Sequence, residues 1–187
     1  MSPAGYSGTP LVKKLGLKPG GRGVVLNAPP SFAADLGPLP EAFTLAHTLS
    51  RAQDLDYVHL FSDRAAEMQR HTLRAKACIK PEGMIWVSWP KKASKVPTDI
   101  TEDTIRGFAL ASGLVDVKVC AIDDIWSGLK LVIPVKDRAA SAAGQALEPK
   151  RTTRTAAKPS FAGTARAVKR AAPALQSKGS RRPRGTP

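Results

Sequence analysis

The sequence predicts an α/β domain over residues 1–138, with a mostly parallel sheet, a C-terminal antiparallel hairpin, and a disordered basic tail over 139–187. Three observations carry that prediction. Met84 to Trp89 is large and apolar or β-branched at every position but Ser88, which suits a strand covered on both faces. Such runs alternate with helical segments that have caps at one end and Gly at the other. After Arg138 the composition changes: 13 of 49 residues are Ala, Phe161 is the only aromatic, and Lys, Arg, Pro, Ser and Thr fill most of the rest. A segment of that kind buries too little apolar area to offset its ordering entropy.

The elements follow in order. Thr9 can cap a first helix, with Pro10 at its first position, Leu11, Val12 and Leu15 as its apolar stripe, and Gly16 as its stop. Lys18-Pro19-Gly20-Gly21 then turns the chain into a strand from Arg22 to Asn27, which Ala28-Pro29-Pro30 ends. Residues 30–40 read as Pro-rich loop with at most a helical turn, and Phe43 to Leu49 as a strand or a short helix.

Tyr57 to Ser62 is a firmer strand. Ser62 or Asp63 can cap the helix after it, which runs to about Ala77 with Ala65, Met68, Leu73 and Ala77 along one side. Lys80-Pro81-Glu82-Gly83 reads as the turn into the Met84 strand, which Pro90 stops because it has no N–H for the ladder. Asp99 with Glu102 has capping-box spacing, and Thr101 is the alternative cap. Either opens a helix with Ile105, Phe108, Ala109 and Leu110 inward and Gly113 at its end. Val115 to Ile122 and Trp126 to Val135 are the last strands, and Asp123-Asp124-Ile125 makes them a hairpin.

Charge and cysteine content bound the function. The formal net charge is +14, but residues 1–138 carry 18 Lys or Arg against 14 Asp or Glu, a net of +4. The last 49 residues carry 11 against Glu148 alone, a net of +10, so the basicity belongs mainly to the tail. Cys78 and Cys120 read as two buried thiols in a reducing compartment. No apolar run approaches the ~20 residues that span a bilayer, and the N-terminus lacks a signal-peptide pattern. The expectation is a soluble cytoplasmic protein without a membrane partner.

Catalytic motifs are weak throughout, and the reading leans against an enzyme. Gly20, Gly21 and Gly23 precede their strand instead of following it, so they read as a turn and not a phosphate cradle. His47, His59 and His71 are spaced without neighbouring ligands, so no metal is expected, and His59 reads as a structural histidine inside a strand. Ser88 lacks the glycines of a nucleophile elbow. Asp123 and Asp124 read as turn residues.

The positive inference is geometric. Parallel strands ending at Asn27, Ser62 and Trp89 would share one carboxyl edge, where open α/β sheets bind ligands. That edge would gather Asn27, Arg64, Trp89, Lys91, Lys92, Ser94, Asp123, Trp126 and Ser127. Two indoles beside paired lysines could hold a flat or anionic small molecule; the alternative is that both indoles fill the core and the lysines are solvated. In the tail, Lys150, Arg151, Arg154, Lys169, Arg170, Arg181, Arg182 and Arg184 form dispersed basic clusters. They suit non-specific, salt-sensitive contact with nucleic-acid phosphates, and an acidic protein is the other partner such charges fit.

Trp86-Val87-Ser88-Trp89-Pro90-Lys91-Lys92-Ala93-Ser94, Pro97-Thr98-Asp99-Ile100-Thr101-Glu102-Asp103, Gly113 to Cys120 and Trp126 to Lys130 resemble a bacterial family known only as a domain of unknown function. Gly5 to Leu11 and Asn27-Ala28-Pro29 fit it too, so the resemblance covers most of residues 4–135. It implies a truncated, Rossmann-like fold similar to the second half of class I methyltransferases. The Gly-rich loop that holds S-adenosylmethionine in those enzymes has no counterpart here, nor does the acidic residue for its ribose, so the resemblance implies no cofactor.

Overall fold

Elements alternate along the chain as α1 (Leu11–Leu15), β1 (Arg22–Leu26), α2 (Phe32–Leu36), β2 (Thr44–Ala46), β3 (Leu55–Phe61), α3 (Ala65–Cys78), β4 (Ile79–Pro90), α4 (Glu102–Ala111), β5 (Val115–Ala121) and β6 (Trp126–Val132). The computed structural model describes residues 8–141. Its six strands form one sheet in the order β2-β1-β3-β4-β6-β5. The pairs β1–β2, β1–β3 and β3–β4 are parallel, while β6 is antiparallel to both β4 and β5. This is the Rossmann-like architecture expected, with the hairpin at its C-terminal end. Among the described residues no helix is long and apolar enough to cross a membrane.

Alternation along the strands separates two cores, one on each face. Val24, Val58, Leu60, Ile85, Val87, Leu129 and Leu131 pack with Met68 and Ala75 of α3 and Ile105 and Ala109 of α4. Val25, Tyr57, Phe61 and Trp86 pack on the other face with Leu11 and Leu15 of α1, Phe32 and Leu36 of α2, and Phe43. Trp86 is fully buried, and its indole Nε1–H donates to the Leu15 carbonyl at 3.0 Å, which fastens α1 to the sheet.

Several local expectations shift. Pro10 is the N-cap of α1 and not its first residue, and its carbonyl accepts from the Lys13 and Lys14 amides; Gly16 ends the helix in the left-handed region at φ 81°. The helical turn expected within residues 30–40 is Phe32–Leu36, and the Phe43 to Leu49 segment is a strand of only three residues. In α3 the buried set is Met68, Thr72 and Ala75, and Leu73 is 51% exposed. Leu73 is five residues from Met68, about 140° around the helix, so both cannot face the sheet. Leu110 stands in the same relation to Ile105 in α4 and is exposed.

The Lys80 to Gly83 turn is instead a bulge inside β4. Leu55 pairs with Ile79 and Tyr57 with Met84, so five steps along β4 match two along β3. A Cβ at Gly83 would sit 2.7 Å from the Leu55 carbonyl oxygen, so only glycine lets the backbones approach this closely. The caps also redistribute. Thr101 caps α4 by accepting from the Thr104 amide at 3.1 Å, while Asp99 reaches across to accept from the Ala65 amide at the start of α3, at 2.6 Å.

Candidate functional site

The sheet's topology fixes where a site can lie. From β1 the chain moves to β2 on one side and returns to β3 on the other, so the strand order reverses around β1. Ligands of open α/β sheets bind at the carboxyl ends of strands near such a reversal. Asn27, the first residue past β1, has left-handed backbone at φ 54°, which Asn tolerates better than most residues. Its Nδ2 donates to Glu67 Oε1 at 3.2 Å and lies 3.5 Å from the Phe61 carbonyl. Glu67 also meets the Ser62 hydroxyl at 3.3 Å and His71 Nε2 at 3.5 Å. These side chains link the end of β1 to the end of β3 and the first turns of α3.

On the other side of Asn27 the edge is open. A cavity of about 560 Å³ lies between the ends of β1 and β2 and helix α2. Val25, Phe32, Leu36, Leu39 and Leu45 give it apolar walls, and Asn27 and His47 are its polar side chains. Asn27 is the one residue of this cavity among the expected edge positions.

The remaining expected residues fall two strands away. Lys91 donates from its backbone amide to the Ile125 carbonyl at 2.7 Å and from Nζ to the Asp123 carbonyl at 2.6 Å. Its own carbonyl accepts from Ser94 Oγ at 2.7 Å. Asp123 Oδ1 accepts from the amides of Ile125 and Trp126 at 2.7 and 2.6 Å. Lys91, Ser94 and Asp123 are thus brought together, and their hydrogen bonds tie the end of β4 to the hairpin. Lys92, Arg64 and Asp124 are exposed.

The sheet holds the two indoles apart. Trp89 pairs with Ser127 and lies in the core under α3 and α4, 8% exposed. Trp126, one position along, packs on the opposite face with its ring edge-on to Phe61 at 5.2 Å. Period-2 alternation forces this separation, since Trp126 stands opposite Pro90 and not opposite Trp89.

Beneath both ends runs a buried polar chain. His59 Nδ1 meets the Tyr57 hydroxyl and Nε2 meets the Ser88 hydroxyl, each at 2.7 Å. Phe61 stacks on the imidazole at 4.4 Å and Phe32 meets it edge-on at 5.0 Å. Burial lowers the His59 pKa to about 3, so the ring is neutral near pH 7, with one nitrogen donating and the other accepting. Burial also raises the Tyr57 pKa well above its ordinary value, with the Cys120 thiolate charge adding to the effect. All three residues are closed to solvent, which fits the structural role expected of His59.

No family model and no curated protein matches the chain, so the resemblance drawn from the Trp86 to Ser94 run gains no family assignment. Among solved structures the chain is similar to a possible exported protein from Bordetella parapertussis, at 12% identity and TM-score 0.47 over 66% of each chain. A SAM dependent methyltransferase from Aquifex aeolicus matches at 12% identity and TM-score 0.47, over 66% of this chain and 88% of that one. Magnesium protoporphyrin IX methyltransferase from Synechocystis PCC 6803 matches at 9% identity and TM-score 0.44, over 66% and 74%. No residue role is carried over from them.

The cavity has a short sequence signal: Phe32 and Leu36 are spaced i, i+4 on the one helical turn of residues 30–40, and Leu39 follows beyond the Gly37-Pro38 stop. The tail candidates Lys150, Arg151, Arg154, Lys169, Arg170, Arg181, Arg182 and Arg184 lie outside the described residues.

Proposed function

We propose that the α/β domain binds a small, largely apolar ligand bearing one or two hydrogen-bonding groups at the carboxyl ends of β1 and β2. The cavity carries this reading. Its volume of about 560 Å³ is of the size small-ligand sites take, and its apolar walls with Asn27 and His47 at the mouth fit their usual composition. The test is thermal denaturation of the full chain with S-adenosylmethionine, adenosine and a panel of apolar aromatic fragments. A bound probe stabilises by about 2.7 kcal/mol at one hundred times its dissociation constant. Ala33→Trp, at an exposed position lining the cavity, should remove the shift while leaving the fold intact. A shift lost instead in Lys91→Ala or Trp126→Ala would move the site to the β4–β6 end, the alternative for an anionic ligand. No saturable shift with any probe would sink both.

The charge asymmetry favours a second function, non-specific binding of nucleic acid by the tail, whose net charge is +10 over 49 residues. Comparing the full chain with one ending at Arg138 across a salt series tests it. Most of the salt-dependent affinity should go with the tail, and equal binding by both chains would overturn the reading.

A further inference from the structure

Lys118 and Lys130 stand directly opposite each other on β5 and β6, a cross-strand position where like charges repel. Lys130 alternates with the buried Leu129 and Leu131, so it points to the other face of the sheet, the face that α1 covers. On that same face Trp86 is its partner across β4, and the Trp86 indole holds the end of α1. Lys118 Nζ lies 3.5 Å from the Lys14 carbonyl in the last turn of α1. Lys118 of β5 and Lys130 of β6 therefore share one surface beside the end of α1.

The electrostatics agree with the geometry. Burial, then the charges of Lys118 and Lys18, lower the Lys130 pKa. Burial raises the Cys120 thiol, while the charges of Lys118 and Lys14 oppose that rise. Among the described residues no ion pair involves Lys18, Lys118 or Lys130. Repulsion of this kind is relieved when a polyanion supplies the missing counter-charge.

We propose that Lys18, Lys118 and Lys130 form a docking patch for the phosphate backbone of nucleic acid on the folded domain itself. The patch draws on separate elements at an open sheet edge and not on a cavity, which suits a polymer that needs charge and reach. The remaining charge of the chain favours the same partner, since the 49 residues after Arg138 add a net +10 of the same sign. The proposal goes beyond the tail reading and stands without it, because its contacts are in the sheet.

The test measures binding of the full chain to a duplex of arbitrary sequence by fluorescence anisotropy, between about 50 and 200 mM salt. Lys118→Gln with Lys130→Gln removes two contacts, so the slope of log K against log salt should fall by about 1.8, alike for unrelated sequences. Lys136→Gln, an exposed lysine elsewhere, should leave the slope unchanged. The double variant relieves a repulsion, so it should fold at least as well as the parent. An unchanged slope with binding retained overturns the patch and leaves the tail reading standing. Salt-dependent binding absent from the parent chain overturns both. Displacement of the duplex by inorganic phosphate at constant ionic strength would reassign the patch to a small anion, which also overturns the proposal.

Discussion

The two ends of the carboxyl edge are built alike in sequence and differ in outcome. At the β4–β6 end a strand stops at proline, lysines follow, and a hairpin of acids lies alongside. One lysine and one acid are used internally, since Lys91 holds the Asp123 carbonyl and Asp123 holds the hairpin amides, while Lys92 and Asp124 are exposed. At the β1–β2 end a strand also stops before prolines, but α2 spans the gap without filling it, and a cavity of about 560 Å³ remains. An antiparallel partner brings its own chain to the carboxyl edge and satisfies the polar groups there. A parallel neighbour must cross over, and the crossover can leave room. Polar side chains at a strand end mark a site only when no adjacent hairpin consumes them.

The largest expected effect concerns the seam both ends share. His59 is depressed to about 3 from 6.5, so the unfolded chain takes up a proton that the native chain refuses. Its contribution is complete above pH 6.5 and is lost as pH falls towards 3, at up to about 1.4 kcal/mol per unit. Urea titrations at pH 6.5 and 4.5 should therefore differ by roughly 2.3 kcal/mol more in the parent than in His59→Gln, which cannot titrate. Equal pH dependence would mean that the seam opens to water.

Next comes the closed end alone. Asp123→Ala strips the acceptor from two turn amides and should lower stability by about 1–2 kcal/mol, with no change in probe binding at the cavity. If probe binding fell as well, the two ends would be coupled and the contrast between them would fail. The smallest effect belongs to the open end. Asn27→Gly keeps the left-handed backbone but loses the carboxamide that meets Glu67, at about 0.5–1 kcal/mol, and it should weaken cavity ligands. Denaturation and thermal shift on the same variant separate the two effects.

Legibility in the sequence followed the range of the interactions involved. The strands, the hairpin and the Gly16 stop were readable because apolar runs and glycine act locally. Sequence leaves Asp99 and Thr101 both open as the cap of α4, because the hydrogen bond that takes Asp99 away goes to Ala65, 34 residues back. The stripes through Leu73 and Leu110 were off by a rotation that only the docked sheet fixes. At the site, Asn27 was legible as a strand end, whereas the cavity was not, because Leu45 comes from a strand too short to show a period and His47 lies just past it. Trp89 and Trp126 could not be placed on opposite faces without the register that sets Trp126 against Pro90.

The bond from Trp86 to the Leu15 carbonyl spans 71 positions of chain. A helix of five residues does not persist alone in water, so α1 depends on the sheet it packs against, and it gains its indole anchor only when β4 has joined that sheet. The surface where Lys118 meets the end of α1 belongs to the finished fold, so a partly unfolded chain would present the basic tail without the proposed patch.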